Sequence, residues 1–491
     1  MGGLLKPLLK TARTATRIVA ASDADEKSKA GADYVCDGVD DQVEIQAAIN
    51  ALPSAGGKVS ITAGNYKLYS WINLVKNDVT VMGEGGGTNL IATFPDGDVL
   101  AVGDGIVTTA RVSLRDLRFS TNVTRTSGSY VKFNKCFQVS LTHFYMENAY
   151  CAIYLLSTTE AYIGIADIRN TGRDAIMVEG GGDHHLFRMV LDNPDIVNEG
   201  TGVCWLDGET LIIADIDVIN FQNGLLIDPE AGKRTRWGFF KGAILDTNKD
   251  DGLSILADGG TVSGLNFTEC WTSSNTSCGI LLDISPNGGV VEGISLINHI
   301  SLRNGLAGLR IANSAIRDVN ITGSYIISNS QTTAGDRHGI EIVAGVRNFL
   351  INNTIAKNGW AQGNTQNYGL GFDAGDTGDF VIANCDFTNN LNGAIINLNQ
   401  LTGPNRVVKN VVGFLNENSG AETFSGDGVA TAFSFAHGLF DIPTHVEISP
   451  KSTDAAGDYY WSADATNITV TFPTAPAAGT NNVVFSWRAK V

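Results

Sequence analysis

The first regular pattern of apolar positions predicts a short helix followed by a strand. Apolar residues at mostly helical spacing are Val43, Ile45, Ala47, Ala48, Ile49 and Leu52. Asp40 or Asp41 stands where a helix cap is expected, and Pro53 ends the pattern. From residue 58 to residue 63 apolar and polar side chains alternate, which is typical of a half-buried strand. We expect the helix to cover the open end of a stack of strands, because an uncovered edge invites aggregation.

Further along, a short phrase recurs: an Asn- or Asp-rich turn, a small residue, an apolar residue, any residue and another apolar residue. The small residues that begin the ten phrases are Ala152, Ala175, Gly202, Gly224, Gly252, Gly279, Gly308, Gly339, Gly369 and Ala394. The intervals between them run from 22 to 31 residues and average about 27, which is typical of solenoid repeats. Each unit contains runs of three to five alternating residues, which are too short for helices. The pattern predicts a parallel β-solenoid with coils from about residue 56 to residue 415.

The small and amide residues of the phrase suggest how each coil turns. We expect the glycines to permit tight corners. The asparagines that precede several of them should tolerate left-handed geometry and stack in hydrogen-bonded columns. These are Asn223, Asn304, Asn367 and Asn392.

The stretch "DDQVEIQAAINALPSAGGKVSITAGNYKL", followed by "VTVMGEGGGTNLIA", resembles the cap and first coils of the pectate-lyase-like superfamily. The resemblance covers roughly residues 35–415 and implies an all-β fold, a right-handed parallel β-helix with an amino-terminal capping helix. It says little about activity, because the superfamily holds lyases, hydrolases, epimerases and non-catalytic adhesins.

The pattern differs at both ends of the chain. Residues 1–34 carry a basic cluster among leucines and predict a docking arm. After residue 416 the repeat stops, and two-residue alternation predicts a separate β-sandwich over residues 420–491, for trimerisation or carbohydrate binding. There Tyr459, Tyr460 and Trp461 are consecutive, so at least one must face outward.

Composition excludes several classes of function. Lys and Arg number 34 against 51 Asp and Glu, a formal net charge of −17, so neither nucleic acid nor an anionic membrane is an expected partner. The seven cysteines are odd in number and scattered, which favours buried free thiols over a zinc site or a disulfide framework. No classical signal peptide or membrane-spanning stretch is apparent.

The second and fourth residues after the small one should face outward from each coil. Fourth positions carry Glu179, Asp228, Asp283 and Asp373, and Glu341 and Arg310 take second positions. Coil and strand spacings place Glu341 and Asp373 at roughly 8 Å, the separation that an inverting pair of carboxyl groups requires. The alternative is a solvated polar face that keeps the sheet soluble.

The region around these two acids gathers further candidates. The two coils are the longest, and long loops on one side of a solenoid are often functional. Expected catalytic residues are Glu341, Asp373, Asp336 and His338. Expected substrate-binding residues are Trp360, Tyr368, Arg337, Asp376, Glu179, Asp228 and Asp283. No cofactor is expected, although Asp373, Asp376 and Asp379 could hold Ca²⁺ through oxygen ligands.

A second candidate cluster is "GGGDHHLFR". It brings together Asp183, two histidines and Arg188 directly after Glu179. His185 could act as a base and Arg188 could neutralise a sugar carboxylate, which together suit β-elimination from a uronic acid. The alternative is an ordinary surface loop.

The order of arm, cap, acidic β-helix and terminal β-sandwich is similar to that of tailed-phage tailspikes. This resemblance implies a virion-associated or extracellular homotrimer that binds bacterial surface polysaccharide, depolymerises it by glycosidic hydrolysis, and docks on a virion tail through the arm. Outward apolar residues support a trimer. They are Met177, Cys204, Leu226, Leu281 and Ile396. The alternatives are a non-catalytic adhesin or structural fibre, and a lyase or epimerase acting on uronic-acid glycans.

Overall fold

The computed structural model of the chain is a parallel β-solenoid followed by two small antiparallel sheets. It describes residues 15–194, 200–343, 345–359, 363–373, 378–397, 401 and 405–491. The solenoid has about 12 turns, and about 5% of the chain is helical. Its parallel strands begin with Thr16–Ala20 and end with Arg406–Lys409. The predicted all-β parallel solenoid is confirmed.

Each coil contributes a strand to three faces, which we number in chain order within a coil. Face 1 carries the ten repeated phrases. Its short strands are Ile72–Leu74, Leu100–Val102, Ser129–Asn134, Asn223–Ile227, Leu253–Ile255, Ile280–Leu282, Leu309–Ile311, Ile340–Ile342, Tyr368–Phe372 and Gly393–Ile396. Five long strands bend around the corners and serve more than one face: Thr109–Thr121, Cys136–Glu147, Cys151–Arg169, Ile176–Asp192 and Thr201–Ile219.

Faces 2 and 3 complete each coil. The short strands of face 2 are Thr16–Ala20, Gly57–Ile61, Val79–Met82, Arg234–Lys241, Thr261–Thr268, Val290–Ile297, Arg317–Thr322, Arg347–Asn352, Phe380–Ala383 and Arg406–Lys409. The short strands of face 3 are Gly64–Leu68, Thr88–Ala92, Ile244–Asp246, Trp271–Ser273, Ile300–Leu302, Tyr325–Ile327 and Ile355–Lys357. The inward residues of all three faces form one continuous apolar core, as expected for a solenoid.

An amide ladder runs inside the corner between faces 3 and 1. Each side-chain amide donates to the next across the coils, at 2.8–2.9 Å in the first three steps. The ladder is formed by Asn248, Asn275, Asn304, Asn329, Gln366 and Asn390. The predicted hydrogen-bonded stacking therefore holds for Asn304, and Asn392 donates to Asn367 in a separate exposed pair at 2.6 Å.

The backbone explanation for the glycines and asparagines of the phrase was wrong. None of the four asparagines has a positive φ; at Asn304 the left-handed residue is the preceding one, Arg303 (φ 56°). The phrase glycines also have ordinary φ. Five of them are required because the ladder passes directly beside them: Gly224, Gly252, Gly279, Gly308 and Gly339. A β-carbon on Gly252 would lie 2.7 Å from the amide nitrogen of Asn275, and one on Gly308 would lie 2.6 Å from that of Asn329.

The predicted capping helix spans Gln42–Asn50 and buries Ile45, Ala48 and Ile49. Asp41 precedes it but does not cap it. Its carboxylate instead accepts hydrogen bonds from the backbone of Gly38 and Lys67, which ties the helix to a neighbouring strand.

The described part of the predicted arm belongs to the start of the solenoid. Strand Thr16–Ala20 pairs in parallel with Gly57–Ile61 and with the short strand Tyr34–Val35. A second short helix, Glu26–Gly31, lies between Thr16–Ala20 and Tyr34–Val35 in the chain. A 3-10 turn at Gly85–Gly87 follows Val79–Met82. Residues 1–14, with most of the basic cluster, lie outside the described residues.

The end of the chain forms two three-stranded antiparallel sheets that share a second core. One contains Glu417–Gly426, Gly479–Lys490 and His445–Pro450; the other contains Ala432–Ala436, Asn467–Thr471 and Tyr460–Ala463. A 3-10 turn lies at Thr453–Ala455. The sheets pack face to face through aromatic pairs such as Phe435 with Trp487, whose centroids lie 5.3 Å apart.

The consecutive aromatic residues of this module face different ways. Tyr459 turns inward and donates from its hydroxyl to the carbonyl of Ile448. Tyr460 and Trp461 are exposed. The expectation that at least one of the three faces outward is therefore confirmed.

All seven cysteines are buried and free, as the composition indicated. Within the described residues, no helix is both long and apolar enough to cross a membrane.

Candidate functional site

The outward side chains of face 1 form a column that runs through successive coils. Strand register aligns Tyr154, Met177, Cys204, Leu226, Ser254, Leu281, Arg310, Glu341, Gly371 and Ile396. Tyr154 begins the column, and the charged pair of Arg310 and Glu341 lies near its other end, followed by Gly371 and Ile396. The apolar members are half-buried, and Cys204 is buried, so this column is a weaker argument for a trimer than expected.

Glu341 faces outward but is buried, which the sequence-based interpretation did not anticipate. It is only 9% exposed, because the guanidinium groups of Arg310 and Arg337 cover its carboxyl group, each at 3.7 Å. The backbone N–H of His338 donates to Oε1 at 3.1 Å. Burial raises the pKa of Glu341 against the opposing effect of these contacts, and the negative charge of Asp373 raises it further.

His338 lies beside Glu341, above the next coil. A β-carbon on Gly371 would lie 2.0 Å from Cδ2 of His338, so the absence of a side chain there makes room for the imidazole. The ring of Tyr368 meets the imidazole edge to face, with centroids 5.4 Å apart. Burial lowers the pKa of His338 to about 4, so this ring is neutral at pH 7.

Asp373 occupies the position that the repeat predicted. Glu341 pairs with Gly371, so Asp373 lies one coil away and two residues further along the strand. Its side chain is exposed, and its charge affects the pKa values of both Glu341 and His338. Asp336 is also exposed and pairs with Arg337 at 3.2 Å.

Two of the expected substrate-binding residues, Trp360 and Asp376, lie outside the described residues. The proposed calcium ligands therefore include only two that can be located. Asp373 lies at the end of face 1 in its coil, and exposed Asp379 lies just before the next face 2 strand, where it accepts from Asn405 at 3.2 Å.

The other expected acids line the edge of face 1 that leads to face 2. Asp228 has one buried carboxylate oxygen without a hydrogen-bond partner among the described residues. Burial, followed by the charge of Asp258, raises the pKa of Asp228. Asp283 is half-buried and accepts from the next backbone N–H, that of Ile284. These acids form a row, in which Asp228 lies four coil steps before Glu341 and Asp283 lies two steps before it.

Glu179 belongs to a separate polar cluster in an earlier part of face 1. The hydroxyl of Tyr154 donates to its carboxylate at 2.5 Å. The ammonium group of Lys233 lies 3.7 Å from Glu179 and 3.4 Å from Asp207. Lys132 lies over the ring of Tyr154, 5.1 Å from its centroid. The acid is thus neutralised by close partners.

The "DHH" segment is part of strand Ile176–Asp192, so it is not a loop. Asp183 and Arg188 are left-handed corner residues with exposed side chains at opposite ends of a face 2 segment. His184 points into the core, where burial lowers its pKa to about 4. His185 is half-buried and stacks on Tyr162, at 4.7 Å between centroids. The two histidines therefore face opposite sides of the sheet.

Sequence reasoning missed the partners that control these acids. Arg310 was recognised as outward-facing but not as a member of the site, and neither Tyr154 nor Lys233 was assigned to Glu179. The repeat did contain the signal for Arg310 and Tyr154. Each takes the second position of its own phrase, and the acid that it contacts lies in the next phrase. The contact from Lys233 depends on a turn that has no repeat.

Comparisons with known proteins give structural neighbours only. No protein-family model matches the chain, and no curated protein sequence matches it. A mutant tailspike of Escherichia coli bacteriophage HK620, in complex with a hexasaccharide, superposes with a TM-score of 0.57 at 13% identity, covering 92% of this chain and 89% of that one. The tailspike gp49 of Pseudomonas phage LKA1 gives a TM-score of 0.50 at 9% identity, covering 91% and 92%.

Epimerases are also among the neighbours. The A-module of the mannuronan C-5 epimerase AlgE4 of Azotobacter vinelandii gives a TM-score of 0.52 at 17% identity, covering 76% of this chain and 96% of that one. At such identities the likeness concerns the fold. The chain therefore has a parallel β-solenoid fold that is also found in phage tailspikes and in bacterial polysaccharide epimerases.

Proposed function

We propose that this protein is a tailspike-like receptor-binding protein that binds bacterial surface polysaccharide and cleaves it by glycosidic hydrolysis. The observation that carries the proposal is the pair formed by Glu341 and Asp373. One carboxyl group is buried with a raised pKa, and the other is exposed one coil away. Two carboxyl groups in different environments are what acid–base hydrolysis of a glycoside requires.

Glu341 is assigned as the general acid. Its raised pKa favours the protonated form, which can donate to the departing glycosidic oxygen. Asp373 is assigned as the general base that takes a proton from the attacking water. The bond between the anomeric carbon and the departing oxygen breaks while the water oxygen bonds to that carbon. This arrangement predicts inversion at the anomeric carbon.

The neighbouring side chains would hold and shape the site. Arg337 and Arg310 orient the carboxyl group of Glu341 and would stabilise its ionised form after proton donation. Tyr368 and the neutral ring of His338 offer an aromatic surface and polar atoms to a sugar. Exposed Asp336 is another acid in the turn that contains Arg337 and His338. Trp360 and Asp376 remain expected substrate contacts.

The row of acids along face 1 bears on the class of substrate. Carboxylates accept hydrogen bonds from sugar hydroxyls, but they repel a polyanion. Asp228 and Asp283 therefore favour a neutral, hydroxyl-rich glycan over a polyuronate, whereas Lys233 already compensates the charge of Glu179. The net charge of −17 acts in the same direction.

The test is incubation with purified bacterial capsular and O-antigen polysaccharides, with new reducing ends and unsaturated uronates followed in parallel. Glu341→Gln and Asp373→Asn should each lower turnover by about 10²-fold or more and retain binding. Glu269→Gln, a matched change at an exposed corner between faces 2 and 3, should keep full activity. Unchanged turnover in both site variants would overturn the assignment.

Elimination is the second candidate, and one observation favours it. His338 is neutral at pH 7 and could act as a base, while Arg337 and Arg310 could neutralise a uronate carboxylate. Appearance of unsaturated uronates without new hydrolytic ends would establish it. If Asp183→Asn lost activity while Glu341→Gln remained active, the site would be assigned to the "DHH" strand. Binding without cleavage would indicate an adhesin.

We propose further that catalysis needs no metal, because two carboxyl groups suffice for acid–base hydrolysis. Activity should survive treatment with EDTA. Loss on chelation and recovery with Ca²⁺ would instead assign Asp373 and Asp379 to a cation site.

Assembly as a parallel homotrimer is also proposed, with face 3 as the contact. Its outward column contains Ile244, Trp271, Ile300, Tyr325 and Ile355 in five successive coils. Ile244 is 40% exposed and Tyr325 is 41% exposed, so a lone solenoid would leave an apolar stripe in water. Light scattering that gives a monomer at micromolar concentration would overturn this proposal.

Residues 1–14 would dock the trimer on a virion tail. A variant without them should fold and bind glycan but fail to join virions.

A further inference from the structure

A groove far from Glu341 has the chemistry of a sugar site. It has a volume of about 980 Å³ and lies on the side of the solenoid where face 3 leads into face 1. Its lining includes Asn122, Thr124, Asn148, Tyr150 and Arg173, residues that carry amide, hydroxyl, aromatic and guanidinium groups. Small-molecule sites commonly have volumes of roughly 300–1,000 Å³ with a few convergent polar groups.

One wall of the groove is fixed in advance. The loop of residues 122–128 is anchored by Arg125, which is 6% exposed and donates to the carbonyl groups of Phe94 and Gly97. The same guanidinium stacks over the ring of Phe94, 4.7 Å from its centroid. A preformed wall lowers the entropic cost of binding a ligand.

The opposite side presents an aromatic ring next to a cation that already has a partner. Tyr150 is half-buried and lies against Gly172, where a β-carbon would be 3.6 Å from its ring. The exposed guanidinium of Arg173 is held at 3.3 Å by Asp174, a buried carboxyl group. Since this charge is compensated, the groove offers hydrogen bonds and an aromatic surface but little net attraction for an anion.

We propose that this groove is a second saccharide-binding site, which takes neutral, hydroxyl-rich sugar residues of the polymer cleaved at Glu341. It rests on the proposed function for the identity of the polymer. The Arg173 and Glu341 coils are about six coil steps apart, or roughly 29 Å. A long polysaccharide lying along the solenoid can therefore contact both places, whereas a short oligosaccharide can fill only one.

The test measures binding to purified O-antigen and capsular polysaccharides immobilised on a sensor, in a Glu341→Gln background that leaves the polymer intact. Asn148 has a positive φ of 59°, so Asn148→Gly removes its amide without backbone strain. Asn148→Gly combined with Tyr150→Leu should raise Kd by about tenfold. Asn122→Ala combined with Thr124→Ala tests the other wall, with a similar effect expected.

The matched control is Asn353→Gly, another exposed left-handed asparagine (φ 48°), which lies far along the solenoid. It should leave Kd unchanged. Because the ligand is neutral, raising NaCl from about 0.05 M to about 0.5 M should change Kd less than about twofold. Unchanged Kd in both groove variants would overturn the second site, and a steep salt dependence that these variants abolish would overturn its neutral character.

The outcomes separate this proposal from the proposed hydrolysis. Weaker binding in the groove variants, with no cleavage by the parent protein, would retain the groove and reject the hydrolase. Cleavage by the parent protein, with normal binding by the groove variants, would retain the hydrolase and reject the groove. Absence of binding to every polysaccharide would reject both.

Discussion

Glu341 owes its chemical character to residues from other parts of the repeat. Arg310 comes from the preceding coil, and Arg337 and His338 come from the turn before its own strand. The strand directs the carboxyl group of Glu341 outward, but these three residues together exclude water from it. Because burial outweighs the two cations, the pKa of the acid rises above its ordinary value of 4.5.

This raised pKa predicts the shape of the pH profile. A general acid must be protonated, so kcat/KM should fall as pH increases through the pKa of Glu341, at a pH above 4.5. Replacing Arg310 with Met removes a cation that favours the ionised form, so it should shift this alkaline limb to still higher pH. The measurement is the pH dependence of kcat/KM for the parent and Arg310→Met.

Arg317→Met, which removes an exposed guanidinium on face 2, is the control and should leave the limb in place. An unshifted limb in Arg310→Met would contradict the electrostatic role given to that residue.

The relative positions of these acids could be predicted from the sequence, and their surroundings could not. The ten phrases fixed which strands form face 1, so the pairing of Glu341 with Gly371 and the offset to Asp373 followed from counting residues. Burial of Glu341 depends on the conformation of the turn that contains Arg337, and the repeated phrase does not specify that conformation. Hence its exposure was wrongly predicted although its direction was right.

At the scale of the repeat, the glycines that begin five of the phrases lie directly beside the amide ladder. Gly252→Ala would bring a methyl group within 2.7 Å of the Asn275 amide nitrogen and 2.8 Å of the Gly279 carbonyl oxygen. Neither neighbour can move without breaking ladder or strand hydrogen bonds. We expect the free energy of unfolding to fall by about 1–3 kcal/mol.

Urea unfolding of Gly252→Ala measures this effect. Gly86→Ala is the matched control, because no atom lies within 4 Å of its added carbon, and it should stay within about 0.5 kcal/mol of the parent. Equal stability of the two variants would show that the coil relaxes around the added methyl group. The sequence displayed the glycine pattern clearly, but the physical cause required the positions of the amides in the neighbouring coil.

At the scale of the whole molecule, the sandwich is attached to the last coils through a small aromatic contact. Phe414 and Phe440 lie 4.6 Å apart between centroids, while each part keeps its own core. Exposed Tyr460 and Trp461 lie on an edge strand of the sandwich, available to a sugar or another subunit. The surface that carries Tyr460 and Trp461 is therefore separate from the surface that contacts the last coils.

Removing residues 420–491 should weaken either trimerisation or glycan binding. Light scattering and sensor binding of the truncated protein distinguish these roles. Tyr460→Ser combined with Trp461→Ser should cause the same loss of trimerisation or binding. Because this double variant does not expose Phe414, it shows that the loss is not caused by damage to the end of the solenoid. Full retention of both properties in the truncated protein would reduce the module to an end cap.

The last prediction concerns the apolar column on face 3. In a parallel trimer the same column of each subunit would face the axis, so Ile300 of one copy would meet the corresponding region of the others. Ile300→Lys places three like charges in that contact and should convert the trimer to monomers at micromolar concentration. Phe239→Lys, an exposed apolar position on face 2, is the matched control and should remain trimeric. Sedimentation velocity measures both variants. A trimer that persists in Ile300→Lys and dissociates in Phe239→Lys would place the contact on face 2, where Phe239 follows His185 and Ile212 in the outward column.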